Sequence, residues 1–156
     1  MKVDEKEQLI AAYAGGYEKL LAAVTDCPQE KWDSKPSPTS WSITEIIVHV
    51  ADSEIVGLHR MKRVLAENNP LLTSFDQDAW ASQLQYSRLN PIQYLELFRL
   101  LRESFIPTLA ELTDEDLNRT GIHDEAGKLT FRDLLVKYIN HIEDHLRQIE
   151  RVKQRI

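Results

Sequence analysis

The chain of 156 residues has one cysteine, Cys27, so no intramolecular disulfide can form. That excludes a disulfide scaffold and suits a reducing cytoplasm. Cys27 lies in Thr25-Asp26-Cys27-Pro28, where a helix is expected to end. Nothing nearby in sequence would activate its thiol, so it reads as a half-buried packing residue. Long apolar runs are also missing. No stretch of about 18 apolar residues exists, so no membrane span is expected. Basic charge is in deficit, with 19 Lys and Arg against 25 Asp and Glu and a net charge of −6. Charges of both signs alternate without blocks. This argues against a nucleic-acid module. Asp4, Glu5 and Glu7 stand where a signal peptide would carry bases, so a cytoplasmic location is expected. Residues 1–156 are 42% hydrophobic, enough for the core of a single domain.

Helical periodicity dominates what is present. Leu9, Ile10, Tyr13, Tyr17, Leu20, Leu21 and Val24 recur at steps of three and four, the mark of an amphipathic helix. Gly15 and Gly16 fall inside it. Each costs up to about 1 kcal/mol there, which suggests close approach of a neighbour. Lys35-Pro36-Ser37-Pro38-Thr39 reads as a loop. Ser42 and Glu45 then form an S-x-x-E capping box, and Trp41 and Ile46 have the spacing of a hydrophobic staple. The second helix is expected to reach about Ala66. Phe75 to Trp80 suggests a short helix with Trp80 packed inward. Asn90-Pro91 opens a third long helix, in which Pro107 should cause a kink or a break. Thr113 to Leu117 looks like a capped turn, and residues 118 to 128 read as a loop. Thr130 and Asp133 cap a last helix to the C-terminus. Four long helices without a convincing strand predict an all-α four-helix bundle with long inter-helix loops.

Five histidines are the candidate chemistry: His49, His59, His123, His141 and His145. His141 and His145 are four apart, about 40° around a helix, so both imidazoles can reach one ion. Spacing alone also fits surface or core residues. Gln148 continues the same stripe and Leu134 and Tyr138 precede it. Two histidines and a glutamine among apolar residues need polar partners. His49 is the expected third ligand, on the second helix, with Asp52 and Ser53 near its face. Asp52 could orient an imidazole, bind the ion, or be a plain surface acid. His59 lies roughly 80° away from His49 and is a poor co-ligand. His123 is expected to be solvated in its loop.

Trp41-Ser42-Ile43-Thr44-Glu45, His49-Val50-Ala51-Asp52-Ser53, Phe75 to Trp80, and His141-x-x-x-His145-Leu146-x-Gln148-Ile149 together resemble the DinB/YfiT-like superfamily of metal-binding four-helix proteins. The resemblance runs from about residue 36 to 150. It places the family's metal histidines on His49, His141 and His145 and implies zinc or nickel. It also implies a homodimer, and a transferase joining a low-molecular-weight thiol such as bacillithiol to an electrophilic substrate. One departure concerns the substrate: Asp144 stands where transferase-like members often have a histidine.

Three neutral histidines leave a position on a divalent ion for water or substrate. In the favoured reading, the ion lowers the pKa of a thiol that attacks an electrophile, with Asp52 and Gln148 orienting ligands or substrate. The Phe75 to Trp80 segment could cover the opening. Hydrolysis at the same ion is an alternative. A second alternative is a non-enzymatic metal-binding or small-ligand-binding stress protein. The first helix, with its two glycines, or the third could supply the dimer face. Three histidines suit zinc, nickel, iron and copper alike.

Overall fold

The computed structural model describes residues 3–156. Its long elements are α1 (Val3–Ala14), α2 (Gly16–Thr25), α3 (Ile43–Ala66), α5 (Pro91–Ala110) and α7 (Phe131–Lys153), with short helices α4 (Gln77–Gln83) and α6 (Asp114–Leu117) between them. α1 and α2 together make one arm of a four-helix bundle. α3 packs against α5 and α7, and the α1/α2 arm packs against the same two helices from the other side. α3 and the α1/α2 arm are therefore diagonal. Apolar side chains from every arm fill the space between them. One end holds Leu20, Trp32, Ile46, Ile47 and Ile149. The other holds Tyr13, Met61, Phe105, Phe131 and Leu134.

The caps form as the sequence requires. Glu45 N–H donates to Ser42 Oγ at 3.2 Å, and Ser42 N–H donates back to Glu45 Oε1 at 3.1 Å. Thr130 and Asp133 repeat that exchange at the start of α7, with 3.0 and 2.9 Å. Asn90 Oδ1 accepts from Ile92 N–H, ahead of which Pro91 needs no donor.

Four expectations are corrected. The first helix is two, separated at Gly15. A Cβ on Gly16 would lie 3.1 Å from the Arg102 guanidinium and 3.4 Å from Ile142, so a bare glycine lets α5 and α7 come close. Of the kink or break expected at Pro107, the break does not occur, and α5 continues to Ala110. Pro107 lies in the last turn of α5, where its missing N–H removes one hydrogen bond and few turns remain to be disrupted. Residues 118 to 128 are not merely a loop. β2 (Thr120–His123) and β3 (Gly127–Thr130) form a hairpin whose turn uses Gly127 at φ +78°. β1 (Leu71–Leu72), from the other long connection, adds in parallel to β2. Four-residue and two-residue strands are too short for a periodic signal. They stitch the two long connections together at one end of the bundle. Finally, His123 is buried on β2, and its Nδ1 accepts from the backbone N–H groups of Glu125 and Ala126, both at 3.1 Å. It is a hairpin-turn acceptor, not a solvated loop residue.

Among the described residues, no helix is long and apolar enough to cross a membrane.

A three-histidine cluster at the bundle mouth

The capping box fixes where α3 begins, and about two turns later that helix delivers His49 to the bundle interior. His49 is 1% exposed, among Ile46, Ile47 and Val50. The Trp41 indole, on the residue just before the cap, covers the imidazole at 4.9 Å between ring centres. α7 supplies the other two rings from adjacent turns. The ring centres of His49 lie 5.4 Å from those of His141 and 4.7 Å from those of His145, and the α7 pair is separated by 4.3 Å. One nitrogen from each of the three comes within 4.8 Å of the others, and no carboxylate joins the set among the described residues.

Hydrogen bonding sets the direction of these nitrogens. His145 Nδ1–H donates to Gln148 Oε1 at 2.7 Å, which leaves the His145 Nε2 lone pair free. That Nε2 faces Nε2 of His141 at 2.9 Å. Ser53 Oγ lies 3.3 Å from Nε2 of His49. Gln148 thus determines a tautomer, and three nitrogens converge on a small volume.

Burial keeps the cluster neutral. Desolvation is the main cause that brings both His49 and His141 down to about 3, with the neighbouring imidazoles adding to it. His145 is lowered by desolvation too, partly opposed by Gln148 and Asp144. Neutral, oriented, convergent imidazoles are the donor set a borderline-soft divalent cation takes. The same groups would repel one another if protonated.

The structure brings Gln148 to the cluster but not Asp52. The Asp52 carboxylate turns to the side, toward Tyr86, whose hydroxyl donates to Oδ2 at 2.6 Å. Burial raises the Asp52 pKa, and the Tyr86 hydrogen bond opposes that rise. Tyr86 itself is fully buried with Val48 and Ala81. His59 is exposed. Cys27 is buried against the apolar core.

Beside His145 and Gln148 opens a cavity of about 610 Å³. Its walls are the Pro36 to Trp41 loop, the start of α4 at Gln77 and Asp78, and the end of α7. The segment from Phe75 to Trp80 therefore does flank the opening, with the Phe75 and Trp80 rings 4.6 Å apart. Sequence reasoning missed the basic residues on this cavity, Arg151 and Arg155. Arg151 follows Gln148 by one turn, which is the signal that could have found it; Arg155 lies past the end of α7 and had none.

The DinB superfamily profile matches residues 12–149. A protein of Oceanobacillus iheyensis named "putative metal-dependent hydrolase" is 29% identical over 131 residues, covering 83% of this chain and 75% of the relative. A Bacillus licheniformis protein of the same descriptive name is 26% identical over 138 residues, 88% of this chain and 78% of its own. Among solved structures, the four-helix bundle of YfiT from Bacillus subtilis superposes with a TM-score of 0.89 over 99% of this chain and 89% of that one, at 24% identity. That likeness concerns the fold.

Proposed function

The chain belongs to the DinB superfamily, and on that premise we propose that it is a metal-dependent hydrolase whose ion is held by His49, His141 and His145. The observation that carries this reading is the convergence of three neutral imidazole nitrogens beside a cavity large enough for a small molecule. The names of the two relatives support it. When bound, a divalent cation supplies Lewis-acid chemistry and lowers the pKa of a nucleophile at neutral pH. The chain's own groups do the rest. Gln148 holds His145 in the tautomer that presents Nε2. Trp41 and the apolar neighbours of His49 keep water from that ring's inner side. Substrate enters through the cavity, with its acyl carbon beside the cluster. Water adds to that carbon, the bond to the leaving group breaks, and the water's proton ends on the leaving heteroatom.

A second reading, thiol transfer, is favoured by one specific feature. No carboxylate stands at the cluster to act as a general base, and Asp52 is engaged by Tyr86. A thiol needs such a base less than water does, because its own pKa is already near 8.5. In that reaction a sulfur–carbon bond forms at the electrophile, its leaving group departs, and the thiol proton passes to solvent.

The deciding experiment measures metal content of wild type, His49→Ala and His141→Ala after reconstitution with zinc and with nickel. Wild type is expected to hold about one equivalent and each variant much less. Metal retained in both variants would overturn the assignment. Loaded wild type is then given activated esters and amides, and separately a low-molecular-weight thiol with an alkyl halide. Product in the first screen supports hydrolysis; thiol consumption only in the second supports transfer.

A further inference from the structure

Most arginines here are engaged. Arg63, Arg99, Arg132 and Arg147 each hold a carboxylate. Arg60, Arg102 and Arg119 donate to backbone carbonyls. Arg151 and Arg155 have no side-chain partner among the described residues, and both line the cavity beside His145. Arg88, likewise without one, lines an adjoining cavity of about 600 Å³ on the other side of Trp41 and Asp78. In a protein with a net charge of −6, uncompensated guanidinium groups thus gather at the mouth of the histidine cluster.

Two explanations compete. Cations near the C-terminus of a helix are favoured by its dipole; Arg151 is in the last turn of α7 and Arg155 lies just past its end. That accounts for basic residues there. It does not account for both reaching the same cavity as His145 and Gln148. Arg151 lies about one turn beyond Gln148 on α7, and Arg155, just past the helix end, lines the same cavity. A guanidinium fork matches a carboxylate or phosphate with two parallel hydrogen bonds. Thr39 and Ser40, on the facing loop, add hydroxyls to the same wall.

We propose that Arg151 and Arg155 form an anion-binding subsite, so that the substrate carries a carboxylate or phosphate about two to three helical turns from the bond that reacts at the histidine cluster. This rests on the metal-site reading for the reaction, but not for the binding of the anion. Asp78 is the one carboxylate on the cavity wall. Its negative charge offsets part of the field of the two arginines.

The test uses metal-free protein, so that an anion cannot bind through the ion. Succinate and inorganic phosphate are titrated into ¹⁵N-labelled wild type, Arg151→Gln/Arg155→Gln and Asp78→Asn, with succinamide as the neutral probe. Saturable shifts at residues lining the cavity are expected for either anion in wild type. The double variant is expected to bind at least about tenfold more weakly, as loss of charge-assisted bonds requires. Asp78→Asn is expected to tighten binding about twofold to threefold by removing one repulsive charge. If succinate binds but phosphate does not, or the reverse, the acid group is thereby identified. The proposal is overturned if wild type shows no saturable binding, if the double variant binds anions as wild type does, or if succinamide binds equally well. Metal content of the double variant is measured in parallel. Full metal with lost anion binding separates the subsite from the ion site, whereas failure of metal binding in wild type leaves this result standing.

Discussion

Two polar clusters lie inside the same bundle, and they are completed in opposite ways. In the first, Arg102 of α5 is 2% exposed, yet every part of its guanidinium has a protein partner. Nε donates to Glu54 Oε1 at 2.8 Å, one terminal nitrogen to the Tyr13 carbonyl at 2.6 Å, and the other to the Tyr138 carbonyl at 3.0 Å. The Tyr13 hydroxyl donates to the remaining Glu54 oxygen at 2.8 Å. The Tyr13 ring lies under the guanidinium at 3.9 Å. This clasp ties all four arms together and gives each guanidinium nitrogen and each Glu54 oxygen a partner. In the second, the histidines have one firm partner, Gln148, and two Nε2 atoms face each other at 2.9 Å. A proton between them joins that pair alone, whereas a shared cation takes a lone pair from all three rings. Buried polar groups that complete one another hold a fold. Those that converge without completing one another bind something.

Breaking the clasp should have the largest effect. Arg102→Ala leaves Glu54 as an uncompensated buried charge and is expected to cost about 3–5 kcal/mol. For a domain of this size that lowers the melting temperature by about 10 °C or more. A loss below about 1 kcal/mol would mean that the pair is not completed as described.

Lowering the pH separates the clusters next. His49 and His141 resist protonation until about 3 in the folded chain, whereas the ordinary value is 6.5. Between those values the unfolded chain binds more protons, so stability falls as pH drops below about 6.5. Thermal melts of metal-free protein from pH 7.5 to 5 should show this decline, and a His49→Ala/His141→Ala variant should show a shallower one. Parallel declines would place the acid sensitivity elsewhere.

Gln148→Ala sharpens the contrast by loosening one histidine only. Metal affinity is expected to fall about 10–100-fold with the fold retained. Competition against a chromophoric chelator reads this, and Gln148→Glu, which keeps an acceptor, should recover most of the loss. The smallest effect belongs to a third polar contact. Tyr86→Phe removes the hydrogen bond to Asp52 and should cost about 1 kcal/mol. Its metal content should match wild type, because Asp52 turns away from the histidines. Lost metal would return Asp52 to the cluster.

Much of the site was legible because its signals are local. Four-residue spacing on one helix puts His141 and His145 side by side whatever surrounds them. Three more residues reach Gln148, which the structure bonds to His145. The cap at Ser42 and Glu45 positions His49 by counting turns. Asp52 shows where counting stops. Being three residues from His49 puts it near the same face, but the buried hydroxyl of Tyr86, on a connection far along the chain, draws it aside. His123 fails for the same reason. Its burial depends on pairing with β1, some fifty residues earlier, in strands too short to show a period.

Glycine divides in the same manner. A Cβ on Gly57 would lie 2.6 Å from the Tyr138 ring, so α3 and α7 can meet there only without a side chain. Nothing near Gly57 in sequence announces Tyr138. What the sequence by itself determined was the helical content, the caps and the pair of histidines on one stripe, because backbone propensity and periodicity act within a few residues. Tertiary structure alone decided that His49 meets that pair, that Arg102 meets Glu54, and that Arg151 and Arg155 share a cavity with the cluster. Those meetings depend on which helices become neighbours and how closely they pack, and burial, not spacing, decides it.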